Sequence, residues 1–273
     1  MHEHPATQDA IQQLISRNNI HIPAQEGELA SGLQGVGRMQ EPNQIVDFLE
    51  HDLSSKMPLI GIKILVTAGP TYEPLDPVRY IGNYSSGIMG YAIANEAALQ
   101  GAEVTLISGP VDDLAIHPGV RLLQIKTADE MHTACLRHFD DCNILVMAAA
   151  VADYKPKHIA ESKIKKEKEI TSVELEKTVD ILKSLGKKKT NQILIGFALE
   201  TDNELFNAKE KINKKNLDAI ILNSLADKGA GFEHATNKIT FIPAKGEQTA
   251  YPLKDKSEVA IDILTQIKLM IDA

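Results

Sequence analysis

From residue 62 onward, short β-branched runs alternate with longer stretches in which apolar residues recur at helical spacing. The strand-like runs cover residues 62–67, 104–108, 144–150, 192–197 and 219–223. The helix-like stretches cover residues 90–99, 128–139, 203–215 and 257–271. This alternation predicts an α/β fold: a Rossmann-like, mostly parallel, doubly wound sheet with helices on both faces.

Details of the pattern refine this prediction. The run 144–150 is almost continuously apolar, as expected for a strand that helices cover on both sides. Residues 238–242 predict a late strand that belongs to an antiparallel strand pair. Thr127 and Glu130 have the spacing of a capping box at the start of the helix that ends near Phe139.

Residues 1–60 follow a different pattern. They predict two short helices, at 7–16 and 43–52, separated by a glycine-punctuated stretch at 27–37. No strand–helix series is visible, and the segment is too small for a core of its own. We therefore expect residues 61–273 to form one domain, preceded by a linker and the end of another domain.

Composition narrows the class of protein. The 273 residues carry 29 basic and 37 acidic side chains, a net charge of −8, which argues against nucleic-acid binding. The two cysteines, Cys135 and Cys142, match no zinc or redox spacing. Neither a signal-peptide core nor an apolar run of about 20 residues is present. These features predict a soluble, cytoplasmic protein that does not bind membranes.

Lysines are concentrated in one stretch. Residues 155–215 hold 15 lysines against 10 acidic residues, a net charge of +5 in an otherwise acidic chain. Such a stretch indicates either a local anionic ligand or simply a solvated face.

The loop after the first strand is the strongest candidate for chemistry. Ser85, Ser86 and Gly87 precede a helix, where hydroxyls and amides suit a phosphate; an ordinary serine cap is the alternative. Arg79 could clamp an anion and Asn83 could orient a carbonyl, or both could be plain loop residues. The loop matches neither G-x-G-x-x-G nor a P-loop.

Three further strand ends carry candidate residues. Asp153, after the alanines 148–150, could hold a metal–phosphate complex or the amino group of a base, or could be a turn residue. The lysines of 163–166 could meet a triphosphate. Lys211 and Lys215, after the run 196–201, share a helix face that could equally be solvated. No Ser-His-Asp order or H-x-x-x-H pair supports a hydrolytic triad or zinc site.

Taken together, residues 62–271 resemble the phosphopantothenoylcysteine synthetase family of coenzyme A biosynthesis. The stretches that carry the resemblance are 67–71 (TAGPT), 76–87 (DPVRYIGNYSSG), 148–154 (AAAVADY), 163–166 (KIKK) and 196–201 (GFALET). The resemblance implies a homodimeric ligase that uses CTP with Mg²⁺ or Mn²⁺. It would activate 4′-phosphopantothenate as an acyl-cytidylate, release pyrophosphate, and transfer the acyl group to L-cysteine with loss of CMP.

The resemblance also assigns residues. Asn83 matches the family asparagine that handles the acyl-cytidylate, Arg79 a neighbouring functional arginine, and Lys163 a lysine at the triphosphate. Asp153 is the candidate metal ligand. Residues 178–181 read Thr-Val-Asp-Ile where many members have Asn-Pro-Asp-Ile, so only Asp180 and Ile181 fit. The expected nucleotide-binding set is Gly69, Ser85, Ser86, Gly87, Met147, Ala148, Ala149, Asp153, Lys163, Asp180, Ile181, Phe197, Lys211 and Lys215.

The first 60 residues resemble the closing part of the flavin-dependent decarboxylase domain that precedes this synthetase in bifunctional bacterial proteins. Ser31 stands where characterised members can have a catalytic cysteine. FMN would belong to the missing bulk of that domain, so we do not expect decarboxylation by this chain alone.

Two other classes of protein stay open. One is a nucleotide- or flavin-binding module without chemistry, which the Asn83 loop and the lysines near Lys163 disfavour. The other is an NAD(P)-dependent oxidoreductase, which only the fold suggests and which lacks its glycine fingerprint.

Overall fold

The computed structural model describes residues 2–29, 32–165, 172–200, 204–224 and 235–272. The chain divides into two compact units, Met1–Met57 and Pro58–Ala273. The division lies slightly before the predicted boundary at residues 60 and 61. The predicted site of Ser31 lies outside the described residues, as do Lys166 and Thr201.

The first unit is small and its described residues include none that are buried. Its two helices were predicted from the sequence, but the glycine-punctuated stretch between them forms an antiparallel hairpin that was not. Glycines at alternate positions leave too few side chains to reveal a period of two. The elements are α1 (Pro5–Ser16), β1 (Gln25–Glu28), β2 (Gln34–Arg38) and α2 (Pro42–Ser54).

The second unit contains the predicted α/β series. Its strands are β3 (Lys63–Ala68), β4 (Tyr72–Pro74), β5 (Tyr80–Gly82), β6 (Glu103–Ser108), β7 (Val120–Gln124), β8 (Ile144–Met147), β9 (Tyr154–Pro156), β10 (Leu175–Lys177), β11 (Ile193–Glu200), β12 (Ala219–Ser224), β13 (Thr236–Asn237), β14 (Ile239–Pro243), β15 (Thr249–Ala250) and β16 (Lys254–Asp255). Its helices are α3 (Ile88–Leu99), α4 (Ala128–Phe139), α5 (Ile181–Lys188), α6 (Glu204–Lys215) and α7 (Lys256–Ile271). No described helix is long and apolar enough to span a bilayer.

Eight of these strands form one sheet in the order β15-β14-β12-β11-β8-β3-β6-β7. The strands from β12 to β7 run parallel, whereas β14 and β15 pair antiparallel at one edge. The predicted Rossmann-like sheet with a late antiparallel strand pair is therefore confirmed. The other strands form small pairs, β4 with β5, β9 with β10 and β13 with β16.

Helices cover both faces of the sheet because successive strand residues point to opposite sides. Ile64 and Val66 of β3 belong to a core with α3 and α7, whereas Leu65 between them belongs to a core with α4, α5 and α6. This two-sided burial explains the continuous apolar runs in the strand sequences.

The start of α4 follows the predicted capping box. The Thr127 hydroxyl oxygen accepts the Glu130 amide at 3.2 Å, and the Glu130 carboxylate accepts the Thr127 amide at 3.2 Å. Two donors of the first turn are thereby satisfied.

Several features differ from the sequence prediction. The loop 69–88 contains the β4–β5 pair, and β7 and α5 were not predicted. The strand expected at 144–150 ends at Met147. Beyond it, the ladder is interrupted at Ala149, whose amide donates to Thr67 Oγ1 at 3.2 Å, and it resumes for a single bridge at Ala150, whose amide donates to the Gly69 carbonyl at 2.9 Å.

Candidate functional site

The carboxyl ends of β3 and β8 are joined beyond the sheet. The Thr71 hydroxyl oxygen accepts the Ala152 amide at 3.0 Å, and Pro70 and Ala150 form an isolated parallel bridge. Gly69 lies within this joint. Polar residues that follow two neighbouring parallel strands are thus held at one edge of the sheet, where ligands bind in doubly wound folds.

Helix α3 begins at this edge on two closely packed glycines. Gly87, its N-cap, has φ 75°, and a Cβ there would lie 2.6 Å from Val111 Cγ1. A Cβ on Gly90 would lie 2.6 Å from that of Ala68. The serine cap considered as an alternative is absent: Ser85 Oγ accepts the Gly87 amide at 3.3 Å, and the cap itself is glycine. The first-turn amides of α3 therefore receive no side-chain oxygen from their cap, which suits an anionic ligand.

Substituting Gly87 should destabilise this edge. We expect Gly87→Ala to lower the free energy of unfolding by roughly 2–4 kcal/mol, because a left-handed backbone and a clash with Val111 act together. Gly61→Ala is the matched control: it shares φ 74° but has nothing within 4 Å, so it should cost only about 1–2 kcal/mol. Urea unfolding measures both, and equal losses would contradict the close packing at Gly87.

Two adjoining cavities open at this edge. The α3 cavity, about 390 Å³, contains eight of the predicted residues: Asn83, Ser85, Ser86, Gly87, Ala148, Ala149, Asp153 and Phe197. The α5 cavity, about 640 Å³, contains Met147, Ala149, Asp153, Asp180, Ile181, Phe197 and Lys215. Ala149, Val151, Asp153 and Phe197 line both and form their shared wall. Most of the predicted residues are thus brought together, but in two compartments rather than one.

Asn83 is anchored at the mouth of the α3 cavity. Its Nδ2 donates to the Val151 carbonyl at 2.9 Å, which links the β5–α3 loop to the shared wall. The side chain is otherwise exposed. A carboxamide held by its donor nitrogen presents its oxygen or second N–H in a defined direction, as the predicted role requires.

In the α5 cavity, Asp180 and Lys215 form an ion pair with Nζ and Oδ2 2.9 Å apart. Asp180 also caps α5 by accepting the Lys183 amide at 3.0 Å. Burial acts to raise the pKa of Asp180, but the hydrogen bonds from Lys215 and Lys183 outweigh it, and the pKa is lowered. Lys211, one turn earlier on α6, lines neither cavity.

Arg79 already holds a partner. Its Nε donates to Asp76 Oδ2 at 2.9 Å, and Nη2 donates to the Ile164 carbonyl at 3.0 Å. Asp76, whose side chain is fully buried, also accepts the Ile164 amide at 3.2 Å. The pair therefore fixes the backbone next to Lys163, which is itself exposed and lines neither cavity. Contact of Arg79 and Lys163 with substrate stays a prediction.

The Asp76–Arg79 pair predicts that the stability of the fold depends on pH in the acid range. The Arg79 hydrogen bond holds the pKa of Asp76 well below its usual range, so the folded chain binds this proton at lower pH than the unfolded chain. The stabilisation is complete above the ordinary pKa of about 4 and decreases as the pH falls below it. We expect Asp76→Asn to lower the urea midpoint at pH 7, and we expect its gap from the parent protein to narrow as the pH falls from 4 to 3.

Asp113→Asn, at an exposed aspartate, is the control for this comparison. A gap between Asp76→Asn and the parent that stays the same size at pH 3 and pH 7 would contradict the role of the Asp76 carboxylate.

Several lining residues were missed by sequence reasoning. Thr178, of uncertain contribution in the sequence, donates its hydroxyl to the Ala152 carbonyl at 2.6 Å and its amide to the Asp153 carbonyl at 3.0 Å. Asn223, Asn237 and Lys256 line the α3 cavity. Asn223 could have been found, since it is the polar residue at the end of a predicted strand, whereas no local pattern marks Lys256.

The described side chains provide few groups for metal binding or for thiol chemistry. In the part of the chain that the structure describes, no cluster of three or more His, Cys, Asp or Glu side chains could hold a metal ion. Asp153 is an exposed carboxylate at the shared wall. Burial raises the pKa of the Cys135 and Cys142 thiols to about 12, so neither is a nucleophile at neutral pH.

The chain is similar in sequence and in structure to several known proteins. A cysteine/cysteine sulfinic acid decarboxylase from an unknown prokaryotic organism is 47% identical, over 98% of this chain and 76% of the relative. The coenzyme A biosynthesis bifunctional protein CoaBC of Bacillus subtilis (strain 168) is 40% identical over 98% of this chain, which spans 66% of that relative's length. The crystal structure of a CoaBC C-terminal domain is 41% identical, with a TM-score of 0.69, and covers 80% of this chain and 99% of that domain.

The resemblance identified from the motifs is confirmed at the level of the family. The model of the DNA/pantothenate metabolism flavoprotein C-terminal domain matches residues 59–270. The match begins within the second unit and covers its whole sheet. The chain therefore belongs to the family of DNA/pantothenate metabolism flavoprotein C-terminal domains.

Proposed function

We propose that the chain acts in coenzyme A biosynthesis as a phosphopantothenate–cysteine ligase that uses CTP. The observation that carries the proposal is the pair of cavities with a shared wall, because the reaction needs a nucleotide and an acid that meet at one point. The CoaBC name of several relatives supports the same pathway.

The first step forms a mixed anhydride. A carboxylate oxygen of 4′-phosphopantothenate attacks the α-phosphorus of CTP, and the bond to pyrophosphate breaks. The step brings two anions together, so cationic groups that act at the triphosphate lower its barrier. Lys163 and Lys215 supply such charge in the proposal, and the Asp76–Arg79 pair positions the backbone beside Lys163.

The second step forms the amide. The amine of L-cysteine attacks the acyl carbon, CMP departs with the bonding electrons, and the amine loses a proton. Asn83 orients the acyl group from its anchor on Val151.

A divalent cation, Mg²⁺ or Mn²⁺, fits the site through one protein carboxylate. Asp153 provides one carboxylate, and Mg²⁺ commonly takes one or two protein carboxylates together with substrate phosphates. The cation supplies charge neutralisation at the phosphates. A homodimer is part of the proposal.

A different reaction is suggested by the decarboxylase name of the 47% identical relative. In this chain both cysteines are buried and burial raises the pKa of each thiol to about 12, so neither offers a thiolate at neutral pH. The ligase therefore remains the proposal, and decarboxylation enters as an outcome of the test.

The test measures pyrophosphate and CMP release with CTP and 4′-phosphopantothenate, with and without L-cysteine. We expect pyrophosphate release to require the acid, and CMP release to require cysteine. CO₂ release from cysteine or cysteine sulfinate without nucleotide would favour the decarboxylase instead, and nicotinamide turnover would favour an oxidoreductase. CTP binding without any release would indicate a binding module.

A further inference from the structure

The wall between the two cavities is held through the backbone of residues 151–153. Val151 and Ala152 share one peptide unit, whose carbonyl accepts Asn83 Nδ2 at 2.9 Å and whose amide donates to Thr71 Oγ1 at 3.0 Å. A trans peptide unit is planar, so its carbonyl and its amide point in opposite directions. Thr71, which is fully buried, therefore holds from behind the carbonyl to which Asn83 is anchored.

Thr178 holds the next two peptide units of this segment. Its hydroxyl donates to the Ala152 carbonyl at 2.6 Å, and its amide donates to the Asp153 carbonyl at 3.0 Å. It follows directly after β10, whose last residue, Lys177, pairs with Tyr154 of β9. Any residue except proline could donate that amide, whereas the bond to Ala152 requires a side-chain donor. The hydroxyl of Thr178 is thus a specific contribution of the sequence to the wall.

Thr178 and Asn83 lie in different compartments. Thr178 lines the α5 cavity and not the α3 cavity, whereas Asn83 lines only the α3 cavity. The two side chains are connected through consecutive peptide units, which only the two backbone dihedrals of Ala152 separate. A change in the direction of the Ala152 carbonyl would therefore turn the Val151 carbonyl, and with it the carboxamide that is bound there.

We propose that Thr178 is a positioning residue for transfer of the acyl group to cysteine: its hydroxyl keeps the wall in the conformation that orients Asn83. This inference rests on the proposed function. Ala152 is only 2% exposed, so a carbonyl that loses its donor there is poorly compensated by water, and the segment relaxes toward other partners. Such a displacement is costly, because misplacing a reacting group by about 1 Å can slow a reaction by about 10²-fold.

The test compares Thr178→Val, which keeps the shape of the side chain but removes its hydroxyl, with Thr178→Ser, which keeps the hydroxyl. In rapid-quench assays we expect Thr178→Val to slow CMP release by about 10- to 100-fold, while the burst of pyrophosphate and KM for CTP stay close to those of the parent protein. Thr178→Ser should recover most of the lost rate. Thr265→Val is the matched control: Thr265 is exposed on α7, donates its hydroxyl to the Ile261 carbonyl at 2.8 Å, and lines neither cavity.

A double-mutant cycle separates action through Asn83 from direct contact with a substrate. Asn83→Ala removes the group that Thr178 positions, so adding Thr178→Val to it should slow CMP release by less than about twofold further. Losses that multiply in the double variant would overturn the assignment. So would a raised KM for CTP with unchanged CMP release in Thr178→Val, or an equal loss of rate in Thr265→Val.

A second measurement does not depend on the reaction. In the parent protein without substrates, the hydrogens on Asn83 Nδ2 give an NMR signal that is identified by its loss in Asn83→Asp. We expect Thr178→Val, or Thr178→Ala if the valine variant does not fold, to shift this signal and to speed its exchange with water, because the anchor is loosened. An unchanged signal would overturn the positioning role. If the parent protein releases no pyrophosphate, the proposed function fails, and the NMR comparison still decides whether Thr178 holds Asn83 in place.

Discussion

Asn83→Asp is expected to bind CTP almost normally yet to form the amide about 10²–10³-fold more slowly, the cost of losing one oriented donor at a developing oxyanion. The aspartate cannot donate to the Val151 carbonyl as the Nδ2 group does at 2.9 Å. It also places a negative charge beside the anionic acyl-cytidylate. Rapid-quench experiments should then show a burst of pyrophosphate followed by slow CMP release.

Asn213→Asp is the matched control because Asn213 is an exposed residue of α6 that lines neither cavity. It should retain the parent kinetics. Unchanged ligation by Asn83→Asp would reject the role of Asn83, and a loss of CTP affinity without a kinetic defect would assign the residue to nucleotide binding.

Lys163→Met should act on the other step. We expect a loss of about 10²–10³-fold in pyrophosphate release, since the substitution removes a cation from the charge that develops on the triphosphate while it keeps the length of the side chain. The effect should appear in kcat for the first step with little change in protein stability, because the side chain is exposed. Single-turnover assays of pyrophosphate measure it directly.

Lys165→Met offers a close comparison, as both lysines are exposed and lie on either side of the Ile164 backbone that Asp76 and Arg79 hold. Its rate of pyrophosphate release should fall less than threefold. Equal losses in the two variants would indicate a general effect of positive charge in this segment and would contradict a specific role for Lys163.

The sequence predicted the central sheet well because its strands are buried on both faces and its helices have one apolar face. It missed β7, an edge strand of which only Val120 is buried. It also missed α5, where a glycine and three lysines within eight residues obscure the helical period. Local patterns are weak wherever burial is partial, so tertiary contacts decide those elements.

The residues of the candidate site likewise fall into those that the sequence predicted and those that it did not. Ser85, Gly87 and Ala149 were predicted because they follow strands whose ends must meet at one edge. Lys256 was not, because it enters the cavity from a helix that closes the chain, and its burial depends on contacts remote in sequence. The contacts that Arg79 and Asp76 make with Ile164 likewise join residues 85 and 88 positions apart along the chain, so they leave no local signal.

The wall that the two cavities share has a thermodynamic consequence. Ala149, Val151, Asp153 and Phe197 contact whatever occupies either compartment, so a ligand that shifts or orders them on one side alters affinity on the other. Any such coupling is reciprocal: the factor by which the nucleotide tightens binding of the acid must equal the factor by which the acid tightens binding of the nucleotide. Through these four side chains, binding of one substrate would change the affinity for the other before any bond is made.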